Sequence, residues 1–265
     1  SANLEFWETY NLPEIYQQLV AADNMLATIL KSDDTAAEGS ETTTVEATSE
    51  VVADNAAAET TNDADSLLAK IGEDKPEAQA AQSMEEFAKL HPLFAVLQIN
   101  QYNGQLASGP VVGIADKKDM AKIDEYLNMK QVKDLLPRNL SLKWGVKAID
   151  EKEQFFYLYA IKKTNRDGTP ALGGDVVTDA NADFVQQAGR SEQVVDMVMN
   201  AEGAKAWARL TKENIGKAVA IVLDDMVYSA PNVQVEITGG RSQITGHFTP
   251  EEAKDLANVL KSGKM

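Results

Sequence analysis

Few side chains in this sequence have the type and spacing that chemistry at a site requires. Cysteine is absent, and the two histidines, His91 and His247, lie far apart in the sequence. Zinc sites are built from cysteine, histidine and carboxylate ligands, and a serine-hydrolase elbow needs the pattern G-x-S-x-G, which does not occur. We therefore interpret both histidines as loop or surface residues, and we predict no metal site, no cofactor and no catalytic nucleophile.

One acidic stretch has the pattern of the beginning of a calcium loop. Asp179, Asn181 and Asp183 alternate as the first oxygen ligands of an EF-hand do. Such a loop also requires glycine at its sixth position and glutamate at its twelfth, where this sequence has Phe184 and Arg190. Because both the turn and the bidentate ligand are missing, we predict no calcium site here.

Carboxylates are too abundant for any one pair to indicate catalysis. The chain has 41 Asp and Glu residues, and Asp224-Asp225 falls between two apolar runs, as turn residues do. The pairs Gly173-Gly174 and Gly239-Gly240 do not open a helix, so we interpret them as turn glycines rather than phosphate cradles. We expect a protein without enzymatic activity, and a hydrolase with two close carboxylates in a cleft stays open as an alternative.

Composition limits the size and the partners of this protein. With 265 residues and a net charge of −16, the chain is long enough for two domains and too acidic to favour nucleic acid. No apolar run approaches the roughly 18–20 residues that cross a bilayer. Between Ser32 and Ala69 the chain is acidic and lacks Lys, Arg and aromatic residues. We predict a flexible loop there, because such a segment buries little apolar area.

Hydrophobic periodicity predicts the helices and strands of the first two thirds. A strand over Leu4–Tyr10 precedes a helix that begins at Leu12 and carries apolar residues at three- and four-residue steps. Asp116 is predicted to cap a later helix that breaks near Asn128. The predicted strands are Leu93–Ile99, Val111–Ala115, Leu140–Ala148 and Phe155–Ile161, and the apolar helix positions are Ile15, Leu19, Ala22, Leu26 and Ile29.

The last third has the pattern of one packed α+β unit. Val194–Met199 is a short apolar run typical of a buried strand, and Asn200 is suited to cap the helix that follows. A hairpin is predicted around Asp224-Asp225, and Thr249 with Glu252 forms a capping box before the final helix. A second hairpin is predicted from Val233–Ile237 and Ser242–Phe248.

Several motifs in this last third together resemble one protein family. The run NAEGAKAWARLTKENIGKAVAIVLDDMVYSAP, followed by ITGGRSQITGHFTPEEAKDLANVLKSG, closely resembles SecD of the SecD/SecF protein-export membrane proteins, fused SecDF included, in their first large extracytoplasmic domain. GGDVVTDA at Gly173–Ala180 and LEF at Leu4–Phe6 also match in the expected order. Asp225 departs from the pattern, because the family's hairpin usually carries glycine at that position.

The resemblance implies an α+β fold of small antiparallel or mixed sheets with helices on one face. Residues 1–10 and 173–265 would form a ferredoxin-like base that lacks some of the family's elements, and residues 11–172 an inserted α+β head. The head could then move on the base at the two crossings of the chain, one near Asn11 and one over Thr164–Gly174. The candidate hinge residues are Asn11, Gly168, Pro170, Gly173 and Gly174.

The resemblance also implies a function. In this family the membrane-embedded part uses the proton gradient, and the domain at the extracytoplasmic (periplasmic) face of the inner membrane captures or guides unfolded preprotein. The expected partners are therefore the preprotein, SecF and the Sec channel, with the membrane helices outside this chain. An exposed strand edge or apolar groove could hold an extended peptide. Candidate contacts are Trp144, Phe155, Tyr157 and Tyr159, although the favoured interpretation of the aromatic cluster on this strand is packing in a core.

A second class of function stays open. Transporters of the resistance-nodulation-division type, which move small molecules or lipids, also have outer domains built from α+β hairpins. A deep apolar pocket in the inserted region would favour that alternative.

Overall fold

The computed structural model describes residues 3–38, 77–187 and 190–262. Most of the acidic stretch that we expected to be a flexible loop lies outside these residues. Its beginning was predicted wrongly, because the first helix continues through Ser32 as far as Glu38. Ala36 and Ala37 favour a helical backbone, and the next glycine in the sequence is Gly39.

The described residues form the following helices and strands, numbered in chain order. The helices are α1 (Leu12–Glu38), α2 (Glu77–Leu90), α3 (Met120–Asn128), α4 (Lys130–Lys133), α5 (Ala201–Glu213) and α6 (Pro250–Ser262), with a 3-10 turn at Gly174–Val176. The strands are β1 (Leu4–Thr9), β2 (Leu97–Ile99), β3 (Gln101–Tyr102), β4 (Gln105–Leu106), β5 (Val111–Asp116), β6 (Leu140–Ala148), β7 (Phe155–Lys162), β8 (Leu172–Gly173), β9 (Val177–Gln187), β10 (Arg190–Met199), β11 (Val219–Leu223), β12 (Met226–Ser229) and β13 (Arg241–Phe248).

The larger sheet contains strands from both parts of the chain. Its order is β2-β5-β7-β6-β12-β11-β1-β8, and β7 also pairs with β1. The strands β7, β6, β12, β11 and β1 therefore close into a ring. A small apolar cluster of Trp7, Ile161, Ala220, Val222 and Val227 comes from strands of this ring. The α+β class predicted from the sequence is confirmed, but one sheet is shared where separate layers were expected.

We call the elements from α1 to β7 the first unit. Its sheet β2-β5-β7-β6 is covered on one face by the helices, because alternate residues of β7, such as Phe156, Leu158 and Ala160, point into their core. The predicted apolar stripe of α1 lies in this core: Ile15, Leu19, Ala22 and Leu26 are fully buried. The phase predicted for α1 is therefore confirmed.

We call β1, together with the elements from β8 to α6, the second unit. Its own sheet has the order β13-β10-β9, and α5 and α6 pack on it. Phe6 of β1 is fully buried and meets Trp207 of α5 edge-on, with 5.3 Å between the ring centroids. The indole nitrogen of Trp207 donates to the hydroxyl of Ser242 at 2.6 Å. The N-terminal strand is thus part of the core of the C-terminal elements.

Local signals predicted the ends of several elements correctly. The side chain of Asn200 caps α5 by accepting the amide of Gly203 at 2.7 Å. The capping box is present at α6, where Thr249 and Glu252 exchange hydrogen bonds at 2.9 and 3.2 Å. Asp224 and Asp225 both have positive φ, as a type I′ turn requires, so the predicted two-residue hairpin forms with aspartate at both turn positions.

Three predictions of local structure were wrong. Val233–Ile237 is not a strand, because this segment crosses between the two sheets and β13 pairs with β10 instead. Only Leu97–Ile99 of the predicted strand Leu93–Ile99 is extended, because the residues before Leu97 form turns. Asp116 caps no helix: α3 begins at Met120, and the Asp116 carboxylate accepts the amide of Lys118 instead.

Candidate functional site

An apolar groove of about 700 Å³ lies along the edge strand β2 of the larger sheet. Helices α1 and α2 and the turn after α2 form one wall, and β5 and the beginning of β7 form the other. The lining residues are Tyr16, Met84, Phe87, Ala88, Phe94, Ala95, Val96, Leu97, Gln98, Ile99, Gln101, Ile114, Asp116, Asp119 and Phe155.

The groove contains an open backbone edge. Among the described residues β2 pairs with β5 alone, and the amide of Asn100 donates to β5 at 2.9 Å. Because backbone groups alternate along an antiparallel ladder, those of Gln98 point to β5 and those of Leu97 and Ile99 point away from it. The Leu97 amide donates to the carbonyl of Leu93. The Ile99 amide and the carbonyls of Leu97 and Ile99 are directed towards the open edge.

Aromatic side chains make up much of the helical wall. Tyr16 of α1 stacks on Phe94, with ring centroids 6.5 Å apart, and His91 packs between Phe94 and Phe87 at 6.4 and 5.0 Å. Met84 of α2 is 63% exposed at the mouth of the groove. Exposed large apolar side chains that cluster in one concave surface indicate a binding site.

A buried carboxylate supports this wall from beneath. Asp23 of α1 is fully buried; one of its oxygens accepts the amide of Leu93 at 2.9 Å and that of Phe94 at 3.4 Å. The other oxygen lies 2.7 Å from Nδ1 of His91. Burial raises the pKa of the Asp23 carboxyl, and the hydrogen bonds from His91 and Leu93 oppose that rise.

The far end of the groove carries a second carboxylate, Asp116. Its oxygens accept the side-chain amide of Gln154 at 2.9 Å and the backbone amide of Lys118 at 3.0 Å. These hydrogen bonds, first that of Gln154, lower the pKa of Asp116. The groove therefore has an apolar interior and an ionised group at one end.

The four aromatic residues predicted as peptide contacts are not all brought to the groove. Phe155 lines it and is 39% exposed. Tyr157 follows on the same face of β7 but is not among the lining residues. Tyr159 packs against the cluster of the ring, where burial raises its pKa to about 12. Trp144 is buried in the core of the first unit and donates to Asp124 at 2.9 Å.

Comparisons with known proteins show the relationship of this chain. A family model described as the SecDF P1 head subdomain matches residues 150–265. The protein translocase subunit SecD of Rhodothermus marinus is 37% identical over 226 residues, which cover 84% of this chain. The chain is homologous to a part of SecD.

The SecD relatives are much longer than the region they share with this chain. The match covers 32% of the Rhodothermus marinus protein, so the chain spans about a third of its length. SecD of Rickettsia felis is 36% identical over 156 residues, which are 58% of this chain and 28% of that protein. None of the helices in the described ranges is long and apolar enough to cross a membrane.

Solved SecDF structures were also found. A crystal structure of SecDF from Thermus thermophilus, described as a translocon-associated membrane protein, is 22% identical; the match covers 100% of this chain and 29% of that one, with a TM-score of 0.34. A structure of a membrane component SecDF that enhances protein export is 22% identical, with 98% and 93% of the two chains covered and a TM-score of 0.32.

The family model names as head a region that the resemblance implied to be mostly base. Residues 150–265 contain β7 and most of the second unit, and we expected residues 173–265 to be the base. The division into base and head stays a prediction.

Asn11, the first predicted hinge of this SecD-like region, lies between β1 and α1, and the chain around it is held by hydrogen bonds. Asn11 follows β1, and its amide donates to the carboxylate of Glu14 at 2.7 Å. The preceding amide, that of Tyr10, donates to the carbonyl of Ala160 in β7 at 3.0 Å. Because Tyr10 is hydrogen-bonded to β7, a rotation that includes Tyr10 would separate β1 from β7. A rotation that keeps this pairing can involve only Asn11 and the residues after it.

The other predicted hinges fall into two groups. Gly168 has a φ of 75° in an exposed turn, and the carbonyl of Pro170 accepts the side chain of Asn165 at 2.9 Å. Gly173 pairs with β1, and Gly174 packs so closely on Leu4 that a Cβ atom would lie 2.5 Å from the Cβ of Leu4. Only the first group lies in a turn free of strand pairing, and hinge motion stays a prediction.

The calcium-like acidic pattern and the two histidines lie in different parts of the fold. Asp179 lies on β9, where it binds Asn181 and pairs with Lys261 at 3.6 Å. Within the described ranges, no group of three or more His, Asp or Glu side chains is arranged to hold a metal ion. His91 lies in the turn after α2, as expected, whereas His247 belongs to β13, so a loop position is wrong for it.

Sequence reasoning missed Asp23. A signal was present: Asp23 is the single charged residue between Glu14 and Lys31, and it falls beside Leu19 and Leu26 on the apolar stripe of α1. A lone carboxylate on a buried helical face requires polar partners from elsewhere in the fold. The sequence could have indicated the buried group, but not the turn that it holds.

Proposed function

We propose that this SecD-related chain holds an extended, unfolded polypeptide in the groove along β2. The observation that carries the proposal is the position of an open backbone edge inside an apolar groove. An extended peptide can add to such an edge through main-chain hydrogen bonds, while the walls accept its apolar side chains. In a protein translocase, that peptide would be a preprotein in transit.

The chemistry of the groove suits weak binding with little sequence selectivity. Backbone hydrogen bonds are the same for every sequence, and the aromatic residues Tyr16, Phe87 and Phe94 offer apolar contact area to many side chains. The edge of β2 is only three residues long, so it offers few hydrogen bonds. A carrier that must release its polypeptide again needs such reversible binding.

The wider role belongs to the same proposal. The parent membrane protein would use the proton gradient, act with SecF and the Sec channel, and place this domain on the extracytoplasmic face. The domain would catalyse no reaction on the polypeptide; its contribution would be binding and movement. Homology to SecD translocase subunits supports this role.

Binding of a fluorescent, permanently unfolded polypeptide to the isolated chain tests the proposal. We expect saturable binding of the unfolded form and none of the same sequence when it is folded, because only an extended backbone can pair with β2. Equal binding of both forms, or binding of neither, would remove the proposal.

A matched pair of substitutions locates the binding site. Phe155→Glu is expected to weaken binding at least about tenfold, because a charged side chain would replace an apolar contact in the groove. The control is Phe184→Glu, the same substitution at a more exposed phenylalanine on β9 (59% exposed), which should leave the affinity unchanged. Titration of the fluorescent polypeptide measures both. A similar loss in both variants would place the site elsewhere.

A disulfide across the two units tests whether movement is needed. Glu8 of β1 pairs with Lys162 of β7, within the distance that a disulfide can bridge. We expect the oxidised double variant Glu8→Cys, Lys162→Cys to lose export in the parent protein and to recover it on reduction. The chain has no other cysteine that could pair. Undiminished export in the locked form would remove movement and leave polypeptide binding standing.

The size of the groove also favours a second candidate. A volume of about 700 Å³ with a largely apolar lining would fit a small apolar molecule, as in a transporter of the resistance-nodulation-division type. An apolar dye that binds here while unfolded polypeptide neither binds nor displaces it would support this candidate over the first.

A further inference from the structure

The turn between α2 and β2 determines the shape of the groove. It supplies Phe94, Ala95 and Val96 to the lining. It also sets where the edge strand begins, because the Leu93 carbonyl accepts the amides of Val96 and Leu97 at 3.2 and 2.8 Å. If this turn relaxed, Phe94 and the start of β2 would both move.

The turn is held by a side chain from another element. The amides of Leu93 and Phe94 donate to the same oxygen of Asp23, which lies on α1. Asp23 is about 70 positions away in the sequence and fully buried. A buried amide that loses its acceptor is costly because water does not replace the lost hydrogen bond, so the turn depends on this carboxylate.

The second oxygen of Asp23 extends the same support to the aromatic wall. It lies 2.7 Å from Nδ1 of His91, whose side chain is 20% exposed. The His91 ring packs on both Phe87 and Phe94. One carboxylate therefore connects α1, the end of α2 and two aromatic residues of the wall, Phe87 and Phe94.

The carboxylate of Asp23 contacts His91, Leu93 and Phe94 behind the groove. Asp23 is not among the residues that line the groove, so it cannot contact a bound polypeptide directly. Among the described side chains of the helices packed against α1, the charged residues are Glu85, Glu86 and Lys89 on α2 and Lys130 and Lys133 on α4, and none of them forms an ion pair with Asp23.

We infer that Asp23 is the positioning residue of the groove: through His91 and the amides of Leu93 and Phe94 it holds the aromatic wall and the start of β2 in the binding arrangement. This inference rests on the proposed function. It adds that the affinity for an extended apolar polypeptide is set by a group that the polypeptide never touches.

The conservative variant distinguishes positioning from general stability. Asp23→Ala is expected to weaken binding of the unfolded polypeptide at least about tenfold. Asp23→Asn keeps an acceptor for the two amides and a polar group for His91, so its affinity should stay within about threefold of the wild type. His91→Ala removes the ring but keeps the hydrogen bonds from the Leu93 and Phe94 amides to Asp23. Its affinity should fall between those of the two Asp23 variants.

A buried threonine in the second unit provides the matched control. Thr211 is fully buried; its hydroxyl donates to the Trp207 carbonyl at 2.8 Å and accepts the amide of Ile237 at 3.0 Å. Thr211→Val should lower stability in the same way as Asp23→Ala does, yet leave the affinity unchanged, because it lies far from the groove in the fold. All variants are compared well below their unfolding transitions.

Hydrogen exchange separates failure of this inference from failure of the proposed function. Asp23→Ala should accelerate exchange of the Leu93 and Phe94 amides and leave those of α5 unchanged. Wild-type affinity in both Asp23→Ala and His91→Ala, or unchanged exchange at Leu93 and Phe94, would overturn the inference. If the wild type bound no polypeptide, the proposed function would fail, and the exchange rates would still decide whether Asp23 holds the wall.

Discussion

Replacing Phe6 with alanine is expected to lower the free energy of unfolding by about 3–5 kcal/mol. Phe6 is fully buried, and its ring meets Trp207 edge-on in the core of the second unit. The substitution removes this contact and leaves a cavity that the paired strand β1 cannot close. Urea denaturation measures the change. Phe155→Ala is the control. Because Phe155 is 39% exposed, this substitution should lower the free energy of unfolding much less.

The size of the Phe6 effect would also show how the two ends of the chain depend on each other. Phe6 lies in the first strand with Leu4, but the other buried members of its cluster follow residue 171. A loss below about 1 kcal/mol would mean that the second unit is stable without β1. A loss in the expected range would show that the N-terminal strand is an integral part of that unit.

The neighbouring residues Gly173 and Gly174 should differ in how much stability an added methyl group costs. Gly174→Ala is expected to cost about 1–3 kcal/mol, because the new Cβ would lie 2.5 Å from the Cβ of Leu4, which the paired strand β1 holds in place. Gly173→Ala should cost little, since its Cβ would meet the carboxylate of Asp175, a side chain that can rotate away. Thermal or urea unfolding of the two variants measures the difference.

The glycine pair also tests why these residues are small. If Gly174 serves close packing, its alanine variant should be the less stable one and Gly173→Ala should behave like the wild type. If both serve as flexible hinge positions, the two variants should lose similar stability and show similar changes in backbone mobility. Equal costs would therefore contradict the packing explanation.

Elements with local signals could be predicted from the sequence. The side-chain cap of Asn200, the capping box of Thr249 and Glu252, and the turn of Asp224-Asp225 depend on residues close together in the chain. The apolar stripe of α1 is also local, because a helix brings every third or fourth residue to one face. These features were confirmed for that reason.

Features that depend on strand order could not be predicted in this way. Val233–Ile237 has the composition of a strand, yet the segment must cross from one sheet to the other, and Val235 is 63% exposed. The groove likewise exists because β2 lies at the edge of the sheet and α1 and α2 lie beside it. Periodicity indicates that a segment is extended but not which neighbour it will pair with.

The candidate contact residues show the same limit. Phe155, Tyr157 and Tyr159 share one face of β7, but the sheet curves into the ring, so Tyr159 is partly buried there and Phe155 reaches the groove. Trp144 was a reasonable candidate by composition, but its side chain is buried among the core residues of the first unit. Residue type indicated aromatic contacts, and only tertiary structure assigned them to a surface or a core.

The closed ring of strands determines when this protein can finish folding. Asn3 and Asp224, 221 positions apart, are hydrogen-bonded at 2.8 Å, and β1 pairs along its length with β11. Contacts of such high contact order form late, because a long stretch of chain must first be ordered. During synthesis, Trp7 and its strand have no β11 partner until most of the polypeptide has emerged. Until then, the N-terminal strand of this chain is itself an unfolded, apolar segment in need of a partner.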